Sequence, residues 1–485
     1  APVVGEPPRA VAERLGDALR GELGARLDRV EVAGPGFLNL FLSESWYREA
    51  LGLILDDESF GAGAPAAPER ISIEFVSANP TGPLTAAGGR HAAYGDSLVR
   101  ILEFAGHSVD REYYFNDAGA QVRLLGESIR ARARGDDPPE GGYEGDYVAE
   151  LASAIPDAGE LDVDALARRA VDAMIEQIQA TLGRYRVTFD TWFREATLHE
   201  GDPSPVDQAL ATLRDRGHVY DSEGAVWLRT TGFGDDKDRV LVRSSGEVTY
   251  FGADVAHHLY KLDRGFDRLV NVLGADHHGY VGRMKALFAA LGADPEALEI
   301  LIMQFVHIVE GGRRASMSKR RGEFVTLDEL LDEIGVDATR FFMLQRSHDT
   351  TIDLDLDLAR EESAENPVYY VQYAHARIAS ILARAGSSAP SASVDVALHP
   401  AERTLILRLL AFPGEVSEAA ERRAPHRIAT YALELAQEFT AFYRDCKVVG
   451  EERDVEAFRL ALCVVSGRTI ARALDLLGVE APESR

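Results

Sequence analysis

The sequence predicts an α/β protein: a doubly wound parallel sheet of Rossmann type that carries a helical insertion, preceded by a small α+β module and followed by an all-α bundle. Three observations predict it. From Ile71 onward short apolar runs alternate with helical periodicity, as a parallel sheet with crossover helices requires. A charged, mostly helical stretch from about 122 to 219 interrupts that alternation. Residues 338 to 477 then keep helical periodicity almost throughout. The expected domains are residues 1–63, 64–345 and 346–485.

With 485 residues, 46% hydrophobic and 27% charged, the chain has the length of about three domains, each able to bury a core. Its two cysteines, Cys446 and Cys463, are too few for a disulfide framework or a thiolate zinc site and fit a reducing compartment. No run of about 18 apolar residues and no leader-like segment is evident, so a soluble, cytoplasmic protein is expected and a membrane protein is not. The net charge of -27 speaks only weakly against a polyanionic partner. Phosphate backbones are bound by local Lys and Arg charge, and part of the excess acid sits in Asp136, Asp137, Glu140, Glu144 and Asp146 and in Asp353, Asp355 and Asp357. Such runs read first as solvated surface.

The elements follow in order. Residues 9–27 form an amphipathic helix, and strands at 29–32 and 37–42 flank Gly34-Pro35-Gly36. A Gly/Ala/Pro linker at 61–68 leads to a buried strand marked by Ile71, Ile73, Phe75 and Val76. Asn79-Pro80-Thr81-Gly82-Pro83 breaks that strand, and Gly88-Gly89 opens a helix through Tyr94, Leu98, Leu102 and Phe104. A junction of this kind aims free helix N–H groups at phosphates. The sheet pattern resumes at 240–242, 248–250 and 268–273 and closes around 300–309; a helix follows at 327–334, and a Ser/Ala/Pro linker at 386–393 divides the final helices.

Two further segments carry chemistry. Residues 313–322, RRASMSKRRG, set Met317, Ser318 and Lys319 in a basic loop before a helix. A lysine there can neutralise charge on a transferring nucleotide phosphate; a basic run by itself also reads as a nucleic-acid contact or a solvated face. Gly274-Ala275-Asp276-His277-His278-Gly279 follows an apolar strand, at the carboxyl end where open α/β sheets bind ligands. Metal ligation by Asp-His-His is the weaker reading, because adjacent side chains rarely converge on one ion. No protein-bound metal is expected, and His257 and His258 read as packing or surface.

Residues 73–91, IEFVSANPTGPLTAAGGRH, resemble the first signature region of class I aminoacyl-tRNA synthetases, in wording similar to the arginyl-tRNA synthetases; Met317-Ser318-Lys319 resembles the second. The resemblance extends over nearly the whole chain. It implies an ATP-dependent arginine–tRNA ligase that forms arginyl-adenylate, releases AMP and pyrophosphate, takes Mg2+ with its ATP, needs bound tRNA for activation and works as a monomer. The rival is a catalytically impaired paralogue that binds tRNA or arginine in a regulatory role; a third reading is an activator passing arginine to another acceptor.

The resemblance also implies roles for residues. Glu74 and Asn79, in Glu-Phe-x-Ser-x-Asn-Pro, Tyr250 and Asp254, in Tyr-Phe-Gly-Ala-Asp, and His277 are implied to hold arginine. A carboxylate meets the planar guanidinium with paired, charge-assisted hydrogen bonds. Gly88, Gly89, Gly274, Asp276 and Met317 are implied to hold ATP, with Lys319 and Ser318 acting in catalysis. Tyr113, Tyr114, Asn116 and Asp117 match the family too, as site lining or as core. Phe37 and Asn39 stand where the family touches tRNA, a stacking aromatic beside an amide, although a strand Phe is as readily core. Tyr373 and Arg377 lie in an aromatic helix resembling the anticodon-binding bundle, where aromatics at helical spacing also serve packing.

Three departures stand out. The chain starts late for the family, at Ala1, and the expected His-x-Gly-His tetrad is Thr85-Ala86-Ala87-Gly88; in the second signature Ser316 replaces the first lysine. Thr85, Arg90 and His91 are the expected replacement phosphate set working with Lys319. His91, three residues after Gly88, shares its helix face and leans toward the helix N-terminus.

Overall fold

The computed structural model describes residues 5–314 and 325–484, with the backbone alone at His278. In the N-terminal module α1 (Pro8–Leu23) packs on an antiparallel ribbon of β1 (Leu27–Ala33) and β2 (Phe37–Leu42). Gly16 of the helix closes on Val30 and Leu38, so alternate residues Phe37, Asn39 and Phe41 point the other way. Ser43 caps α2 (Glu44–Asp56) by accepting the Trp46 N–H, and that helix leads into the sheet domain.

The main sheet begins with β3 (Arg70–Glu74), α3 (Ala86–Phe104) and β4 (Ser108–Phe115). Helices α4 (Ala120–Arg134), α5 (Asp146–Ala154) and α6 (Val163–Arg184) then leave the sheet and return to it at β5 (Thr191–Arg194). The single insertion expected at about 122 to 219 is therefore corrected: β5 lies inside it and pairs in parallel with β4. A second excursion holds α7 (Pro205–Asp215) and a small antiparallel sheet of β6 (Val219–Ser222), β7 (Ala225–Leu228) and β8 (Arg239–Val242). Residues 240–242 belong to that small sheet, and Tyr250 starts α8 (Tyr250–Asp263). Four-residue apolar strands look alike in either sheet, so periodicity alone does not separate them.

With β9 (Arg268–Gly274), α9 (Val281–Ala290) and β10 (Leu298–Met303) the all-parallel order is β10-β9-β3-β4-β5. The chain leaves β3 toward β4 and later returns to its other flank at β9. The topological switch, and the crevice that comes with it, therefore lies at the carboxyl ends of β3 and β9. Ile71, Ile73, Phe75, Leu98 and Leu102 are fully buried around this junction, each such side chain contributing about 1.5–3 kcal/mol.

A second small sheet, β11 (Val306–Glu310), β12 (Arg313–Arg314) and β13 (Ile352–Asp355), flanks α10 (Leu327–Leu344), whose helical backbone is interrupted at Gly335. After α11 (Leu356–Arg360) the bundle comprises α12 (Pro367–Ala385), α13 (Pro400–Leu410), α14 (Phe412–Glu421), α15 (His426–Asp445) and α16 (Arg453–Leu476). It docks on α3. Ser97 donates to the Leu476 carbonyl at 2.8 Å, and fully buried Arg340 donates to the Leu477 carbonyl at 2.8 Å and pairs with Asp96 at 2.5 Å. The end of the chain thus steadies the helix that opens at the crevice. Among the described residues no helix is long and apolar enough to cross a membrane.

Candidate active site

Parallel strands covered on both faces normally read as continuous apolar runs. Here the register sets Glu74 between Glu112 and Asn271, a row of three buried polar side chains across the sheet centre. Their partners come from one face of α8, where Asp254, His257, His258 and Lys261 recur at three- and four-residue spacing, with Arg264 just past the helix end. Lys261, 0% exposed, reaches Glu74 Oε2 at 2.5 Å and Glu112 Oε1 at 3.3 Å. His257 Nε2 lies 2.6 Å from Glu112 Oε1, and Arg264 donates to Glu112 Oε2 at 2.7 Å. Burial raises both carboxyl pKa values, but the Lys261 ammonium and its cationic neighbours prevail and hold Glu74 and Glu112 below the ordinary range. Glu74, Glu112 and His257 offer donor atoms within 4.8 Å of one another, yet the protein's own ammonium sits between the two carboxylates.

Beyond Glu74 the backbone turns sharply. Val76 and Ser77 have φ of 67° and 40°, a strain of about 1–3 kcal/mol each. Ser77 donates to Glu74 Oε1 at 3.0 Å and accepts the Tyr114 N–H at 3.2 Å, so the strained turn fixes the carboxylate. Asn79 donates to Gln121 at 2.7 Å. Asp254 accepts the Tyr280 hydroxyl; burial, helped by nearby Glu74 and Glu195, pushes its pKa up to about 7 although the Tyr280 bond opposes it. Tyr114 donates to Glu195 at 2.7 Å, and burial raises that carboxyl also. Tyr250, 60% exposed, and Glu195 line a cavity of about 460 Å³ together with Gly119, His199, Thr249 and Ala253. This half of the crevice gathers anionic groups around one planar ring, the equipment for a cationic, partly flat ligand.

The other half is built largely of backbone. Thr85 is the N-cap of α3 and its Oγ1 accepts the Gly88 N–H at 3.3 Å. The Ala86 N–H donates to the Val325 carbonyl and the Leu327 N–H to the Leu84 carbonyl. The N-termini of α3 and α10 therefore abut, and both aim partial positive charge at the same place. Ser316, Met317, Ser318 and Lys319 lie outside the described residues, but Val325, just beyond that segment, touches the first turn of α3. A Cβ at Gly88 would meet nothing closer than 3.5 Å, whereas at Gly89 it would come within 2.7 Å of Leu327. Glycine at 89 lets the two helices meet; at 88 there is room for a side chain.

Arg90 requires a correction. Its guanidinium is buried and donates to the carbonyls of Gln304 (2.8 Å), Phe305 (3.4 Å) and Ser347 (2.9 Å), while burial lowers its pKa to about 10. It ties α3 to the loops after β10 and α10, its guanidinium taken up by backbone carbonyls. His91 turns instead toward the end of β9, beside the Val272 backbone and within electrostatic reach of Asp276 and His277. Burial, then Arg90, lowers its pKa to about 4, so it is neutral, and its buried Nδ1 has no partner among the described residues. Gly274 caps the turn bearing Asp276 and His277, both exposed and 3.5 Å apart; a Cβ at Gly274 would lie 2.6 Å from Asp276 Oδ1.

Elsewhere Tyr113 is core, bonded to Ala78 through its hydroxyl, and Asp117 is held by Arg194 at 2.6 Å. Asn116 is partly buried. Phe37 is 69% exposed beside exposed Asn39, so it is not core. Tyr373, stacked on Tyr369, lies under the Arg377 guanidinium, which donates to its hydroxyl at 2.8 Å. Glu112, Lys261, Glu195, Tyr280 and Asn271 were not singled out from the sequence. The polar stripe on α8 was the available signal for Lys261; His257 and His258 on the same stripe are buried and hydrogen-bonded rather than idle surface.

Comparison with known proteins matches residues 1–42 to the arginyl tRNA synthetase N-terminal domain, 146–380 to the class I (R) tRNA synthetase catalytic domain and 371–484 to the DALR anticodon-binding domain. The chain is 45% identical to an arginine–tRNA ligase of Shouchella clausii and 46% identical to one of Frankia alni, each alignment covering 98% of this chain and 89% of the relative. The solved arginyl-tRNA synthetase of Thermus thermophilus superposes with a TM-score of 0.80 at 26% identity, over 100% of this chain and 93% of that one.

Proposed function

The chain belongs to the arginyl-tRNA synthetase family and is an arginine–tRNA ligase, and from that premise we propose how its two half-sites divide the work. The carboxylate half takes the substrate side chain. The guanidinium enters between Asp254 and Glu74, its plane along Tyr250, with Asn79 and His277 toward the α-amino and carboxylate end. The observation that carries this reading is half-buried Asp254, bonded to the Tyr280 hydroxyl within reach of Glu74 and pushed up to a pKa of about 7 by desolvation. A guanidinium draws off its proton and supplies the missing counter-charge.

The backbone half takes ATP, which arrives with Mg2+ as the substrate complex. Gly88, Gly89 and the first turn of α3 approach the phosphates, and Gly274 and Asp276 the ribose; Met317 binds ATP, and Ser318 and Lys319 act in catalysis. Neutral His91 contributes a hydrogen-bonding ring and no charge, so Lys319 and the two helix dipoles carry the electrostatics. Thr85 serves through the cap that orients those N–H groups. The arginine carboxylate attacks the α-phosphate and pyrophosphate leaves; the terminal ribose hydroxyl of tRNA then attacks the arginyl carbonyl and AMP leaves. Positioning and preorganised charge supply most of the rate.

Phe37 and Asn39 on the open face of the ribbon meet tRNA, and Tyr373 and Arg377 meet its anticodon region. Activation that waits for bound tRNA, a monomeric enzyme and a cytoplasmic setting complete the proposal. Arginylation assays with arginine and with citrulline test it. Arginine is expected to be charged and neutral citrulline not, with Glu74→Gln raising the arginine KM; comparable use of citrulline sinks the assignment of the carboxylates.

A further inference from the structure

Glu74 belongs to two systems at once. One oxygen takes Ser77 at 3.0 Å and the other takes Lys261 at 2.5 Å, so no oxygen is left without a protein partner before any substrate arrives. Lys261 is wholly buried and, among the described residues, also meets Glu112 at 3.3 Å and Asn271 Oδ1 at 3.5 Å. A lysine is seldom so completely buried unless paired, and here it spans the polar row across three strands. Arg264 gives Glu112 a second cation and extends to Asp110 at 2.9 Å. Within this network three carboxylates, Glu74, Glu112 and Asp110, face two permanent cations, Lys261 and Arg264. Asp254 is paired with neither cation and accepts the Tyr280 hydroxyl instead.

We propose that Lys261 is the positioning residue of the arginine site: it fixes the Glu74 carboxylate, ionised and in one orientation, and leaves Asp254 as the uncompensated charge the substrate answers. The inference rests on Glu74 being an arginine ligand. It explains why a cationic amino acid is met by a site that already contains a cation. Without Lys261, Glu74 and Glu112 would be adjacent buried carboxylates short of one counter-charge, and one of them would take up a proton. The groups facing Glu74 are Lys261, His257 and Asp254 from α8, Glu112 and Tyr114 from β4 and Asn271 from β9.

The test is tRNA-supported ATP–pyrophosphate exchange by the full chain between about pH 6 and 9, with KM read separately for arginine and ATP. Lys261→Met is expected to raise the arginine KM at pH 7 by about tenfold or more, the effect of losing one well-placed charge-assisted hydrogen bond from a misplaced Glu74. The ATP KM should stay within about twofold, and the arginine KM should gain a second acidic limb, added to the one Asp254 gives the unaltered chain, and this second limb should disappear when Glu74→Gln is added. If Lys261→Met does not fold, Lys261→Met/Glu112→Gln removes one cation and one anion together and is expected to restore folding. That double variant, with Glu112→Gln as its control, should still show the raised arginine KM. An unchanged arginine KM, or arginine and ATP KM rising in parallel, overturns the role of Lys261. If Glu74→Gln alone leaves the arginine KM unchanged, it is the underlying assignment of Glu74 that has failed.

Discussion

The two halves of the crevice are built on opposite plans. At the ends of β3 and β4 buried ionisable and polar side chains are tied into one network of Glu74, Glu112, Lys261, His257 and Arg264, and a strained turn at Val76 and Ser77 locks the carboxylate. At the start of α3 the resources are backbone N–H groups, glycines and a neutral histidine, while Arg90 in the first turn of that helix is spent on carbonyls. Selecting a side chain demands fixed, directional charge. A phosphate chain can be met by helix N-termini and a lysine from a neighbouring loop. The selective half therefore shows in this structure as a complete network, and the phosphate half as a cradle.

The sharpest way to break this contrast is Asp254→Asn. Removing one partner of a buried, hydrogen-bonded charge pair costs about 2–5 kcal/mol, so kcat/KM for arginine is expected to fall about 30- to 5,000-fold with the ATP KM little changed. A loss shared by both substrates would mean that the halves are not separate. Arg90→Met probes the other side as a structural residue. Carbonyls left without donors cost about 1–3 kcal/mol each, so urea unfolding should show a loss of a few kcal/mol. The arginine and ATP KM of the folded protein should persist; a selective rise in ATP KM would return Arg90 to the phosphate set.

Smaller effects sharpen the picture. Asp254 is raised from the ordinary 3.8 to about 7 by burial, with Tyr280, Glu74, Glu195 and Lys261 around it. The unfolded chain loses this proton first, so the carboxyl's contribution to stability falls as pH rises from about 4 to 7 and is flat above. Arginine binding selects the ionised form and runs the opposite way: at pH 6 the arginine KM should be about tenfold above its plateau at pH 8. A profile flat through pH 7 would contradict the assigned environment. Last, Thr85→Ala removes the α3 cap and should cost about 1 kcal/mol of stability, with a modest rise in ATP KM and none for arginine.

Much of this was legible beforehand because it is local. The break at 79–83, the helix opened by Gly88-Gly89 and the helix that starts at Leu327 are written in consecutive residues, and the motifs around Glu74 and Asp254 carry the family. What was not legible is tertiary. The strand β5 is four residues long inside a helical stretch, and nothing local says that it joins the main sheet. The row of Glu112, Glu74 and Asn271 exists only through strand register. Arg90 was misplaced because nearness to a helix N-terminus does not say which side of the helix meets the crevice and which meets the loops after β10. His91, on the next position, turned the other way.

One measurement tests the account most directly: arginine-dependent ATP–pyrophosphate exchange by the unaltered chain, with and without cognate tRNA, beside His91→Ala. Exchange that appears with tRNA, and a His91→Ala variant with a raised ATP KM but an unchanged arginine KM, is the predicted result. Absence of exchange in both conditions while tRNA still binds tightly would contradict it, leaving a cradle that holds substrates without joining them.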